Sequence, residues 1–98
     1  MQNATNAALD SVASMLGIQS DYALAKALRS STQSVSNYRL GKNKLGDESA
    51  VRAAQIAHLN PAALLAKLHA ESSKSPEVRK QWEWLALLAE SHAAKSPA

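Results

Sequence analysis

Five cations, Lys26, Arg29, Arg39, Lys42 and Lys44, stand between residues 21 and 46 against a single acid, Asp21. The rest of the chain carries six basic and seven acidic residues, so the net charge of +3 comes entirely from that window. A local cationic surplus is either a surface for a polyanion, most often nucleic acid, or an ordinary solvated polar face. Other chemistry is scarce. There is no Cys, which excludes disulfides, thiolate metal sites and a thiol nucleophile. His58, His69 and His92 share no ligand spacing, and none is paired with a carboxylate in a metal motif. No Gly-rich phosphate loop is present, and nothing around Glu71 and Glu77 suggests an acid–base pocket. Neither catalysis, a metal nor a cofactor is expected.

The elements that must position the cationic window are helices. The chain is rich in Ala, sparse in β-branched residues, and has no sustained alternation of apolar and polar residues. Asn60-Pro61 and Ser75-Pro76 each place a cap residue before Pro at the first helical position, and Glu77 adds a carboxylate where the helix dipole favours one. Ser31 and Asp47 are expected to cap two further helices. Gly17 and Gly41 fall where left-handed C-terminal residues belong. Six helices are predicted, near 5–16, 21–28, 32–40, 48–58, 61–72 and 76–93. With 98 residues, 46% of them hydrophobic, the expected fold is all-α, a compact helical bundle of five to six helices. Aromatics are only 4%, so Leu, Ala, Val and Ile must fill the core, Leu64, Leu65 and Leu68 among them. No run approaches the roughly 18 apolar residues of a membrane span. Residues 1–10 lack the basic start and apolar stretch of a signal peptide, and residues 95–98 are expected to fray.

Residues 21–40 read DYALAKALRSSTQSVSNYRL. Two short helices here are separated by residues 29–31. Leu24, Ala25 and Leu28 share one face of the first, Val35 and Tyr38 lie three apart on the second, and all five can face inward together. The small side chain of Ala25 lets the second helix cross closely. Followed by Gly41 in the sequence LGKNK, this segment resembles the helix-turn-helix of the phage Cro and C1 repressor family, also called the XRE-like family. The matching residues are Leu24-Ala25, Leu28, Val35, Ser36 and Gly41. The likeness runs from about residue 20 to 44 and extends weakly to about residue 65, roughly half the chain. The family usually has Gly in the turn where Arg29 stands, and an apolar residue where Ser30 stands. A non-Gly residue at positive φ costs on the order of 1 kcal/mol, so either the turn differs or the strain is accommodated.

The resemblance implies a lambda-repressor-like DNA-binding domain over residues 1–74; residues 75–98, outside the matched part, are expected to form a C-terminal helix that packs on the body and serves dimerisation. It implies that residues 32–40 enter the major groove, with Thr32, Gln33, Ser34 and Asn37 at the base-reading positions. Gln and Asn can each bond bidentately to adenine, and Thr can offer its methyl group to thymine, so A·T-containing half-sites are expected. Phosphate contacts are expected from Ser20, Arg29, Ser36, Tyr38, Arg39, Lys42, Asn43 and Lys44. For Tyr38, core packing is the competing role. Asp21 would repel phosphate, so it should cap or turn away. The implied protein is a sequence-specific regulator of phage or prophage type, a repressor occluding a promoter on a pseudo-palindromic operator in the bacterial cytoplasm.

One such unit contacts only about half a turn of duplex, so useful affinity calls for a symmetric dimer. Residues 76–93 carry two apolar stripes: Val78, Trp82, Leu85 and Ala89 in one, Trp84, Leu87, Leu88 and Ser91 in the other. One Trp should pack inside the subunit and one at the dimer contact, with Trp82, Trp84, Leu87 and Leu88 as the interface candidates. The double stripe also suits another class of function. It would serve a protein-interaction module, such as an antitoxin or an RNA-polymerase-binding factor, that uses the Trp-bearing helix on a protein partner.

Overall fold

The first helix, α1 (Ala4–Leu16), begins where the Asn3 carboxamide accepts the Asn6 N–H at 2.8 Å. It ends at Gly17, whose φ of 66° lets the Ile18 N–H turn back to the Ala13 carbonyl at 2.9 Å. The computed structural model describes residues 3–93, and the same local logic starts most of the other helices. Ser20 caps α2 (Asp21–Ala27), Ser31 caps α3 (Thr32–Arg39) and Asn60 caps α5 (Pro61–Ser72), each accepting a backbone N–H three residues on. Ser75 precedes α6 (Pro76–Ala93). The exception is α4 (Asp47–Ala57). Asp47, expected as its cap, is instead its first helical residue; Gly46 takes the cap position with no side-chain hydrogen bond. The Asp47 carboxylate lies 3.1 Å from His69 Nε2 on α5, and from the first turn it still complements the helix dipole. The described residues form six helices and no strand. The expectation for residues 95–98 lies outside them. No described helix is long and apolar enough to cross a membrane.

One cluster of side chains joins the first five helices. Leu9 and Val12 of α1, Leu24 and Leu28 of α2, Val35 of α3, Leu45 of the following loop and Leu68 of α5 are all but inaccessible. Each such side chain contributes roughly 1.5–3 kcal/mol of burial. The helix α4 enters this cluster through Ala50, Ala53, Ala54 and Ala57, so its neighbours α1 and α5 approach its backbone closely. Thr5 is buried among these apolar groups, and its Oγ1 accepts the Leu45 N–H at 3.2 Å, satisfying the loop backbone where it dips into the core. Leu64 and Leu68 are buried as expected, whereas Leu65 is only partly so.

Among the helices, α6 packs on α5 alone. The two meet through small residues: Ala63, Ala66 and Ala70 form an i, i+3, i+7 stripe on α5, and with Ala86 of α6 they are buried outside the main cluster. Trp82 stacks on His69 with ring centroids 4.7 Å apart, Asn60 Nδ2 donates to the Ala89 carbonyl at 2.9 Å, and Lys67 pairs with Glu90. The inward stripe of α6 is therefore Trp82, Ala86 and Ala89. Val78 and Leu85, grouped with Trp82 by spacing, are 47% and 40% exposed.

Candidate nucleic-acid interface

The turn between α2 and α3 answers the question that Arg29 poses. Arg29 adopts the left-handed conformation, with φ 56°, so the strained turn is the one realised. The reversal is closed by the Ser30 N–H on the Ala25 carbonyl at 2.8 Å and the Arg29 N–H on the Lys26 carbonyl at 3.1 Å. Arg52 of α4 donates to the Leu28 carbonyl at 3.2 Å, holding the end of α2. Ser30, half-buried under the turn, places its Oγ 3.5 Å from that same carbonyl. Ser31 Oγ then accepts the Ser34 N–H at 3.0 Å and donates to Ser34 Oγ at 2.9 Å, which fixes the first turn of α3.

Among the helices, α3 touches only α1 and α2. Val35 and Tyr38 face inward, at 0% and 9% exposure, together with Leu24, Ala25 and Leu28, so the five residues meet as expected. The opposite side of α3 is open. Thr32 and Gln33 are exposed; Ser34, Ser36 and Asn37 are half-buried. Gln33 Nε2 donates to Asn37 Oδ1 at 3.2 Å, forming an amide pair one helical turn apart. Sequence reasoning passes over Leu40, which follows at the end of this stripe and is 66% exposed. Its signal is positional: it stands seven residues after Gln33 and three after Asn37.

A set of polar contacts fixes α3 against α1. Asn6 Nδ2 donates to the Tyr38 carbonyl at 3.2 Å. Arg39 Nη1 donates to Asn6 Oδ1 at 3.2 Å and to Asp10 Oδ1 at 2.8 Å, while Arg39 Nε lies 4.0 Å from Asp21 Oδ1. Two acids, one from α1 and one from α2, thus face the guanidinium of Arg39, one of the residues expected at phosphate. Asp21 lies toward that cation. The body of Tyr38 belongs to the core, and the hydroxyl of Ser20 is engaged as the α2 cap.

After α3 the chain reverses at Gly41, with φ 78°, and the Lys42 N–H bonds to the Asn37 carbonyl at 2.9 Å. Lys42, Asn43 and Lys44 are exposed in the loop that follows, and Lys44 Nζ donates to Ser72 Oγ at 2.9 Å. Lys26 lies over the Tyr22 ring, 5.8 Å from its centroid. Among the described residues, Lys26, Arg29, Lys42 and Lys44 form no ion pair. The amide pair of α3 therefore stands between an uncompensated cation at the preceding turn and others in the following loop.

The candidates for self-association divide. Trp84, Leu87 and Leu88 point outward at 58%, 67% and 40% exposure, while Trp82 is half-buried against His69. Leu87 also borders a surface groove of about 600 Å³ between α1, α5 and α6, where Ala4, Ala7, Ala70 and Ala86 contribute apolar lining. No family model matches the chain, and no curated protein or solved structure matches it either.

Proposed function

We propose that this protein is a sequence-specific, double-stranded DNA-binding regulator that reads the major groove with α3 and acts as a homodimer. The observation that carries this reading is the Gln33–Asn37 amide pair on the open side of a short helix bounded by unpaired cations. Asn37 Oδ1 occupies one amide hydrogen of Gln33. The second hydrogen and Oε1 are left to meet N7 and N6 of an adenine, a bidentate match worth roughly 1–3 kcal/mol of discrimination. Asn37 then acts as a buttress that holds the Gln33 amide in plane, and Thr32 offers its methyl and hydroxyl groups beside it. Arg29, Lys42, Asn43 and Lys44 supply the phosphate contacts that set register. Arg39, committed to Asp10, serves to hold α3 against the body. The likeness of residues 20–44 to the Cro and C1 repressors supports the same assignment. The exposed Trp84, Leu87 and Leu88 of α6 are the surface on which a second copy would pair, doubling the number of base contacts.

Selection of bound duplexes from a random pool, followed by titration at several salt concentrations, tests the proposal. Gln33→Ala should weaken binding to the selected duplex by about 1–3 kcal/mol and leave binding to random duplex unchanged. Lys42→Ala should weaken both and lower the slope of log affinity against log salt by about one. If neither substitution alters binding to any duplex, the DNA reading fails. The exposed face of α6 would then favour a protein-interaction module.

A further inference from the structure

We infer that Leu40 is a specificity-determining residue that recognises the 5-methyl group of a thymine; this inference rests on the reading of α3 as the groove-facing helix. Although Leu40 is the C-terminal cap of α3, it keeps the helical phase. Its φ and ψ are −83° and −5°, and its N–H bonds to the Ser36 carbonyl at 3.0 Å. Gln33, Asn37 and Leu40 therefore stand at i, i+4 and i+7 and share one stripe. That stripe points away from Val35 and Tyr38, which are 0% and 9% exposed, whereas Leu40 is 66% exposed. Its neighbour Gly41, at φ 78°, turns the chain away immediately afterwards.

A leucine can neither donate nor accept a hydrogen bond, so it gains nothing from the polar edges of the bases. In the major groove the thymine methyl is the apolar feature that distinguishes one base from another. Seven residues of helix separate Leu40 from Gln33 by about 10 Å, which corresponds to roughly three base-pair steps along a groove. The amide stripe and the leucine would thus read an adenine and, two to three steps away, a thymine.

Replacing each thymine of the selected duplex by uracil, one at a time, removes a single methyl group and leaves every hydrogen-bonding edge in place. With the unaltered protein, one thymine per half-site, two to three steps from the Gln33-dependent adenine, should lose about fourfold in affinity when its methyl is removed. With Leu40→Ala the same replacement should cost nothing, while binding to the uracil duplex stays as it was. The variant changes an exposed side chain, and thermal unfolding checks that it folds. The inference fails if no thymine is sensitive, if the sensitivity persists in Leu40→Ala, or if Leu40→Ala weakens all duplexes alike, as a contact to the sugar backbone would. In each of those cases a preserved effect of Gln33→Ala keeps the reading of α3 intact. A protein that discriminates among no duplexes sinks both.

Discussion

Replacing Arg29 by Gly separates what the backbone needs at the α2–α3 turn from what the guanidinium does there. Arg29 and His58 are the non-Gly residues with positive φ among those described, at 56° and 58°. A side chain in the left-handed region costs about 1–2 kcal/mol. Glycine removes that cost but gives back about 0.5–1 kcal/mol by loosening the unfolded chain. The Arg29 side chain has no ion pair or hydrogen bond to lose among the described residues, so the net gain should be about 0.5–1 kcal/mol. In a domain of this size 1 kcal/mol moves Tm by about 4–8 °C, which puts the expected rise for Arg29→Gly at about 2–8 °C. His58→Gly should give a smaller rise, because His tolerates the left-handed region better than Arg. On DNA the two variants should diverge. Arg29→Gly removes a cation next to α3 and should lower the salt slope of duplex binding by up to about one, whereas His58→Gly should leave binding unchanged. Thermal unfolding followed by circular dichroism, and duplex titrations at several salt concentrations, give both readouts. A lower Tm for Arg29→Gly would refute the argument that this turn stores backbone strain.

Two further perturbations probe the association surface and the charge around α3. Trp84 is 58% exposed on the subunit, so Trp84→Ala should leave Tm of the dilute protein nearly unchanged while shifting its mass in solution toward monomer; an unshifted mass moves the interface elsewhere. Asp10→Asn removes the negative charge 2.8 Å from Arg39 Nη1, and a surface ion pair of this kind is worth about 1 kcal/mol or less. The added positive charge should tighten binding to random duplex at low salt, and the gain should fade as salt rises. Equal affinities at low salt would place the Asp10–Arg39 pair away from the path of the duplex.

Much of the helical layout is legible in the chain because its start and stop signals are local. Ser31 and Asn60 cap by accepting an N–H three residues on, and Gly17 and Gly41 end helices at positive φ, all without long-range help. Asp47 misleads because an acid near a helix start can either cap or sit in the first turn; here its carboxylate lies against His69, twenty-two residues away. The contacts of Arg39 are not legible either, since Asn6 and Asp10 meet it across about thirty residues of chain. The phase of α6 is obscured by size. Large apolar residues suggest the buried side, yet α5 presents Ala63, Ala66 and Ala70, which are matched by Ala86, and Val78 and Leu85 are left at the surface. The Gln33–Asn37 pair is readable from its four-residue spacing; the exposure of Leu40 follows only once the end of α3 and its Gly41 reversal are in place.

The alanines of α4 have a consequence for the geometry of any two-copy assembly. Ala50, Ala53, Ala54 and Ala57 have no side-chain torsions, so they bury without losing rotamer freedom, and α1 and α5 pack on the helix that carries them. A seam of this kind cannot be retuned by a side chain swinging aside; apart from glycine, every replacement adds atoms where there is no slack. It joins α1, which anchors α3, to α5, which carries α6. If copies couple through α6, this seam, together with the direct contact of α1 on α5, helps to set the reach between their two α3 rods. The spacing a paired binding sequence must match would then be written in part into the most featureless stretch of the core.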